Sequence, residues 1–204
     1  PEESYQLDAG IHWGNDRLTI QFDPYLNYFP NYIYMNPTPN YYEGLQWYYY
    51  TQSRVIRCGF ELQADWKILP SLSAEFKGEY LYAEQLSGEK KGYTLPFSTP
   101  WSADATLRYA FCRKNVGNEG FVAMNMHVTG RQNNIVPPEK PTPGYYTLNL
   151  TAGKDFAFGE RTLRLSLNAE NLLNRKYYDH TSFYRLIDVP EPGRNVALMA
   201  TFEF

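Results

Sequence analysis

The chain has 204 residues, a formal net charge of -3, 20% charged residues and 17% aromatic residues. Because it has no basic excess, nucleic acid is not expected as a partner, and no apolar run approaches the ~20 residues of a membrane-spanning helix. Membrane-crossing strands are not excluded, because their signal lies in alternation and in interfacial aromatic residues.

Apolar residues alternate with polar ones along most of the chain, and a period of two gives each strand one apolar face. The segments are longer than the ~5 to 6 residues of typical globular strands and approach the ~9 to 11 residues of a tilted membrane-crossing strand. Pro24 interrupts the second segment, where a central strand would tolerate proline poorly. The pattern predicts about nine strands, at residues 5–13, 18–28, 56–66, 72–82, 103–111, 122–128, 146–152, 163–170 and 194–204.

The predicted connections alternate in length. Short turns are expected at residues 14–16, 68–70, 113–119 and 157–160, and long loops at 30–45, 86–100, 132–143 and 173–192. This alternation is typical of an up-and-down outer-membrane barrel, with short periplasmic turns and long outer loops. The fold class is therefore predicted to be all-β, a segment of an antiparallel transmembrane β-barrel. A soluble β-sandwich is the alternative, although its loop lengths would not be expected to segregate so regularly.

The cysteines and the start of the chain carry less information. Cys58 and Cys112 are predicted to be unpaired, because the alternation places them on opposite faces. The opening residues Pro1, Glu2, Glu3 and Ser4 do not form a secretory signal peptide. The sequence is therefore expected either to be mature or to begin within a longer protein.

Two motifs occur near the end of the chain. Residues 168–177 read Asn-Ala-Glu-Asn-Leu-Leu-Asn-Arg-Lys-Tyr, and His180, Thr181 and Ser182 precede the Pro-Glu-Pro-Gly-Arg-Asn of residues 190–195. In this order they resemble the closing strands of a TonB-dependent outer-membrane receptor. The resemblance implies a plugged barrel of 22 strands. Nine strands would leave bare edges in lipid, so residues 1–204 are expected to be the C-terminal portion of one barrel domain, with the plug, the N-terminal strands and the TonB-contacting segment absent.

The resemblance also implies a function, which is to bind a scarce ligand such as an iron-siderophore, haem or cobalamin and to import it across the bacterial outer membrane. The implied partners are outer-membrane lipid, the TonB complex through the absent plug or N-terminus, the barrel-assembly machinery, and a small-molecule or metal-chelate ligand. No enzyme activity, cofactor or protein-bound metal is expected. An outer-membrane barrel protease or lipase is the alternative, but no acid is clearly placed beside a histidine.

Ligand contacts are expected in the long loops, where tyrosine rings offer large contact areas with a polar end and basic side chains could bind an anionic chelate. The candidates are Tyr32, Tyr34, Tyr41 and Tyr42 in the first loop and Arg175, His180 and Arg185, beside Lys176, in the last. Structural alternatives are an interfacial aromatic girdle for the tyrosines and loop folding for His180. His127 is expected to face the lumen as a solvated or plug-contacting residue rather than as a metal or haem ligand.

The last strand carries Leu198, Ala200, Phe202 and Phe204 on its apolar face. In the predicted barrel this face meets lipid, and Phe204 lies at the periplasmic rim. By the resemblance, the same four residues form the signal that the barrel-assembly machinery recognises.

Overall fold

A computed structural model describes residues 1–111 and 119–203, and the strands of these residues form one ten-stranded sheet. All neighbouring strands are antiparallel, and their order in the sheet follows the chain, except that β1 and β2 both pair with β3. The predicted all-β, up-and-down architecture is confirmed. The strands are β1 (Tyr5–Asp8), β2 (Ile11–Gly14), β3 (Leu18–Tyr42), β4 (Leu45–Leu69), β5 (Leu72–Gln85), β6 (Ser102–Phe111), β7 (Gly120–Thr129), β8 (Tyr145–Phe158), β9 (Arg161–Glu170) and β10 (Asn195–Glu203).

The first predicted strand is divided into β1 and β2, which explains why the described residues contain ten strands rather than nine. β1 pairs with residues 25–28 of β3 and β2 pairs with residues 19–22, so the division lies opposite Pro24. Proline has no N–H to give to the ladder, and the Pro24 carbonyl accepts the Ala9 N–H at 3.1 Å. β3 therefore continues through its proline, and the break occurs in the neighbouring strand.

The long loop predicted at residues 30–45 is wrong. β3 and β4 continue as a two-stranded ribbon, residues 29–54, beyond the point where β5 stops pairing with β4 at Val55. Only Glu43 and Gly44 form its turn, with φ of 49° and 81°. Tyr32, Tyr34, Tyr41 and Tyr42 consequently lie on a strand rather than in an irregular loop.

Prolines account for this error. Pro30 lies within a register shift of the ribbon, between Phe29 and Tyr32, and a second shift separates Pro37 from Tyr41. Such bulges accept residues that cannot donate to a ladder. β1 pairs with β3 only as far as Tyr28, so beyond that point β3 is an edge strand in the described sheet and loses little by lacking an N–H.

The other connections confirm the predicted alternation of short and long. Residues 15–17, 70–71 and 159–160 form short turns that all lie at the same end of the strands, which we call the short-turn end. The turn predicted at 113–119 and Cys112 fall almost entirely outside the described residues, and Cys58 is free. Residues 86–101, 130–144 and 171–194 form loops at the opposite, long-loop end, and the last of these contains a 3₁₀ helix, Phe183–Ile187.

The register aligns like faces across the sheet. An apolar row crosses six strands on the outer face, through Leu18, Trp66, Ala74, Leu107, Met124 and Leu150. The next row, on the inner face, is polar throughout and consists of Thr19, Asp65, Glu75, Thr106, Asn125 and Asn149. One face is therefore suited to an apolar environment and the other to water.

The apolar face has no second layer over it in the described part of the chain. Leu7 is 68% exposed and Leu198 is 76% exposed, whereas a β-sandwich would bury such residues between two sheets. A buried cluster of Tyr34, Val55, Ala83 and Leu95 lies instead at the long-loop end. The sandwich alternative therefore finds no support. None of the described helical residues makes a helix long and apolar enough to cross a membrane.

Candidate ligand-binding end of the sheet

The outer face has the composition of a membrane-spanning wall. Exposed aromatic residues lie towards both ends of the strands, where Tyr and Trp favour the level of lipid headgroups. At the long-loop end these are Tyr80, Tyr82, Trp101 and Tyr146, and at the short-turn end they are Trp13, Trp66, Tyr109 and Phe158. Exposed apolar residues such as Phe76 and Met126 lie between the two groups.

The three long loops are joined by a chain of buried polar groups. Gln132 Nε2 donates to the Ser98 carbonyl at 2.8 Å, which connects loop 130–144 to loop 86–101. Gln132 also exchanges backbone hydrogen bonds with Thr142, and Thr142 Oγ1 lies 3.0 Å from His180 Nδ1 in loop 171–194. All four residues are buried, so the three loops pack as one unit, which we call the loop cluster.

A buried ion pair closes the loop cluster. Arg185 Nη2 lies 2.8 Å from Glu139 Oε1, and the two side chains are 5% and 1% exposed. The same carboxylate oxygen accepts the Phe97 N–H at 3.1 Å, and Arg185 Nε donates to the His180 carbonyl at 2.6 Å. Because a buried charge without its partner is strongly destabilising, the packing of these loops depends on both members of the pair.

His180 lies inside the loop cluster rather than on its surface. It is 2% exposed, and its Nε2 has no hydrogen-bond partner among the described residues. Burial lowers the pKa of His180 to about 4, helped by Arg185 and opposed by Asp179. Ser182 Oγ accepts the Tyr184 N–H at the start of the 3₁₀ helix. The neighbouring Ser182 and His180 therefore do not form a nucleophile and base pair.

Tyr32 and Tyr34 line an inner cavity of about 290 Å³, which is also lined by Arg57, Leu95, Phe97 and Ser98. Their rings stack with centroids 6.1 Å apart. Tyr34 is 9% exposed, and its hydroxyl donates to the fully buried Gln85. Tyr34 is thus both a wall of this inner cavity and part of the buried cluster.

Arg57 carries no recognisable motif and was not among the predicted residues. It lies on the inner face of β4, where Asn27 and Ala83 are its partners on the neighbouring strands. The only indication in the sequence is a cation at an inner-face position of the strand, between Val55 and Gly59 on the same face. That signal does not reveal a cavity, because the loop residues that cover it are distant in sequence.

Tyr41 and Arg185 line a second, outer cavity of about 210 Å³ between the ribbon tip and the loop cluster. Its other lining residues include Gln46, Lys140, Tyr178 and Asp188. Tyr41 and Tyr42 are each 61% exposed. Arg185 lies over the ring of Phe97, 5.2 Å from its centroid. Phe97 also lines the inner cavity, so this contact connects the walls of the two cavities.

Arg175 lines neither cavity. Its guanidinium lies 4.6 Å from the centroid of Tyr146 on the outer face, and the Lys176 ammonium lies 5.7 Å from that of Tyr178. The Arg175 N–H donates to Asn171 Oδ1 at 2.8 Å, and Asn171 Nδ2 donates back to the Arg175 carbonyl at 2.9 Å. This part of the Asn-Leu motif therefore folds its loop.

His127 faces the inner side, as predicted from the alternation. Its Nδ1 lies 3.1 Å from Asp104 Oδ2 and its Nε2 lies 2.9 Å from Thr129 Oγ1, so neighbouring polar side chains hold both nitrogens. Within the part of the chain that the structure describes, no group of three or more His, Cys, Asp or Glu side chains is arranged to hold a metal ion.

The last strand, β10, pairs with β9 along its whole length. Leu198 and Phe202 are 76% and 50% exposed on the outer face, and Ala200 is exposed beside them. Phe204, the last of the four predicted assembly-signal residues, lies outside the described residues.

The sheet is antiparallel and has one apolar face, with aromatic residues at both ends of its strands and the long loops at one end. These features define the wall of an outer-membrane β-barrel. A family model described as TonB dependent receptor-like, beta-barrel, matches residues 1–172. The chain therefore belongs to the family of TonB-dependent receptors. Barrels of this family lie in the outer membrane, and its members are transporters rather than enzymes.

Solved structures with the same fold agree with this assignment. The copper transporter OprC superposes with a TM-score of 0.78 at 19% identity, over 96% of this chain and 30% of that one. The ferric preacinetobactin receptor BauA of Acinetobacter baumannii gives a TM-score of 0.74 at 14% identity, over 100% and 30%. The iron transporter FrpB of Neisseria meningitidis gives 0.70 at 15%, over 97% and 30%. At these identities the likeness concerns the fold, and the chain spans about a third of each receptor.

Proposed function

We propose that this chain is the C-terminal barrel portion of an outer-membrane transporter that binds a metal chelate at its long-loop end and imports it. The observation that carries the proposal is the two-faced sheet of a TonB-dependent receptor barrel, bearing two cavities beneath and beside its long loops. The whole of residues 1–204 would belong to one barrel domain. A plug and further N-terminal strands would complete a barrel of 22 strands.

An iron or copper chelate is the cargo that the relatives favour. These structurally similar proteins include a copper transporter, an iron transporter and receptors for ferric yersiniabactin and ferric preacinetobactin. Haem and cobalamin are the other candidates for the cargo. Uptake would use energy relayed by the TonB complex through the plug or N-terminus, and the barrel-assembly machinery would recognise the last strand.

We propose that the ligand contacts belong to the two cavities and the ribbon tip. Tyr32 would contribute to the inner cavity and Tyr41 to the outer one, with Tyr42 exposed at the ribbon tip. Tyr34, His180 and Arg185 would shape these walls from buried positions, because their polar groups already have partners or lie within the loop cluster. Arg175 would add a contact outside the two cavities and the ribbon tip, at the rim beside Tyr146.

Uptake by the full-length receptor tests this function. The gene would be expressed in a bacterial strain without other metal-chelate receptors, and uptake of radioactive iron and copper chelates, haem and cobalamin would be measured with and without TonB. We expect TonB-dependent uptake of at least one metal chelate. Uptake of none of the panel, or uptake that does not require TonB, would contradict the proposal.

A matched pair of variants tests the site. Tyr41→Ala removes a ring from the outer cavity, whereas Tyr50→Ala removes a ring that is 78% exposed on the same ribbon but lines neither cavity. We expect about a tenfold loss of affinity for the first variant, from the lost ring contact, and no change for the second. Equal effects of the two variants would argue against a ligand site in the outer cavity.

A further inference from the structure

Arg57 is a cation that has no carboxylate partner among the described residues. Among the described residues it makes no salt bridge, no side-chain hydrogen bond and no cation–π contact, and its Nε is buried without a partner. A buried polar group without a partner is costly, and a guanidinium offers five donors in a fixed fork. The buried Nε of Arg57 therefore points to an acceptor outside the described residues.

No carboxylate of the described residues lies within salt-bridge distance of Arg57. Across the neighbouring strands Arg57 is paired with Asn27 and with Ala83, which is 2% exposed. The next carboxylate along the same face of β4 is Glu61, four residues away, or roughly 13 Å at 3.3 Å per residue. By contrast Arg164 and Arg185 each pair with a carboxylate.

The position of Arg57 places it at the rim of the inner face. It pairs with Ala83, only two residues before β5 ends at Gln85 and loop 86–101 begins. It lines the inner cavity together with Tyr32 and the loop residues Phe97 and Thr99. A guanidinium at the mouth of an aromatic cavity recognises carboxylate or phenolate oxygens in a bidentate way, and does so better than an ammonium would.

We propose that Arg57 binds an oxygen anion of the transported chelate, a carboxylate or a catecholate, and that the receptor therefore selects anionic over uncharged metal chelates. This inference rests on the proposed function and adds the class of substrate to it. The Tyr32 and Phe97 rings supply the apolar walls beside the charge. An uncharged chelate would leave the guanidinium unpaired in the cavity, which is the penalty that produces the selection.

The test uses the full-length receptor and three probes, ferric tris-catecholate, ferric citrate and the uncharged ferric trihydroxamate. Binding is measured by calorimetry for the wild type, Arg57→Gln, Arg57→Lys and the control Arg54→Gln. Arg54 is an exposed cation three residues away on the same strand, and it does not line the inner cavity. Heat-modifiable migration in detergent confirms that each variant is folded.

We expect Arg57→Gln to weaken the binding of one or both anionic chelates by about 10- to 100-fold, which is the usual effect of losing a charge-assisted hydrogen bond. Arg57→Lys should recover part of the affinity, and Arg54→Gln should match the wild type. The anionic chelate that responds identifies the donor as catecholate or carboxylate. The uncharged chelate should bind more weakly than the anionic ones, and its affinity should be the same for the wild type and all three variants.

Two outcomes would overturn the inference and leave transport standing. One is tight binding of the uncharged chelate that is insensitive to Arg57→Gln. The other is unchanged binding of the anionic chelates by an Arg57→Gln receptor that unfolds more easily than the Arg54→Gln control, which would identify the partner of Arg57 as a carboxylate of the receptor itself. Binding of none of the three chelates would overturn the inference, and would contradict the proposed function as well only if uptake of copper chelates, haem and cobalamin also fails.

Discussion

The buried pair of Arg185 and Glu139 permits a quantitative test of how the long loops are held together. Arg185→Met removes the guanidinium that lies 2.8 Å from Glu139 Oε1 and leaves a carboxylate that is 1% exposed without its counter-charge. Breaking such a pair from one side costs about 3 to 5 kcal/mol. We expect the free energy of opening the loop cluster to fall by about that amount, which corresponds to at least about 100-fold faster opening-limited exchange at 1.36 kcal/mol per tenfold.

Hydrogen exchange at the Phe97 amide measures this opening, because that N–H donates to Glu139 Oε1 at 3.1 Å. The control is the double variant Arg185→Met with Glu139→Gln, in which the glutamine oxygen can still accept the Phe97 N–H but no buried charge is left. We expect the double variant to return to within about 1 kcal/mol of the wild type, because neutral replacements of buried pairs are well tolerated. A Phe97 amide that exchanges within twofold of the wild-type rate in Arg185→Met would refute the reasoning.

Three further results are expected. Burial holds the pKa of His180 at about 4 in the folded loops, below its ordinary 6.5, so on acidification the unfolded loops bind a proton before the folded loops do. The loop cluster should therefore be fully stable above about pH 6.5 and lose about 3 kcal/mol of stability as the pH falls to 4. Hydrogen exchange should show this loss, and His180→Gln should abolish it. Asn171→Ala loses the hydrogen bonds to Arg175 and places alanine at a φ of 46°. It should lower the stability of loop 171–194 by about 1 kcal/mol more than Asn171→Gly does, as measured by the rate of protease cleavage. Equal cleavage of the two variants would mean that the backbone is unstrained at this position. Leu198→Arg on the outer face should cost about 2 to 4 kcal/mol of refolding free energy in lipid, whereas Met199→Arg on the inner face should cost little, and equal costs would contradict the assignment of faces.

The alternation of apolar and polar residues allowed the sheet to be predicted from the sequence. A one-residue slip between strands would move every side chain of a strand to the other face, so the alternation fixes which residues share a face. Leu107 and Met124 show how far this goes, since both are apolar, both face outward and they are paired in register. The ribbon was missed because Pro30 and Pro37 obscure the period of two. A strand at the edge of a sheet accepts proline, but whether a strand lies at an edge is a property of the sheet and not of the local sequence.

The candidate site was less predictable, because its contacts join distant parts of the chain. Tyr41 and Arg185 share the outer cavity although they lie 144 positions apart in the sequence. Glu139 was not singled out, since nothing near it in sequence shows that Arg185 is its partner. Arg57 was missed for a related reason, because an unpaired cation can be recognised only when all of its neighbours are known.

The central claim is that the outer face of this sheet meets lipid while the inner face meets water, and site-directed spin labelling along β6 tests it most directly. Labels would be placed singly at residues 104 to 107 of the full-length receptor in lipid vesicles, with Cys58 and Cys112 replaced by alanine. We expect accessibility to oxygen to peak at 105 and 107 and accessibility to a water-soluble nickel complex to peak at 104 and 106, following the alternation of Ala105 and Leu107 with Asp104 and Thr106. Equal accessibility at all four positions, or the opposite phase, would contradict the claim.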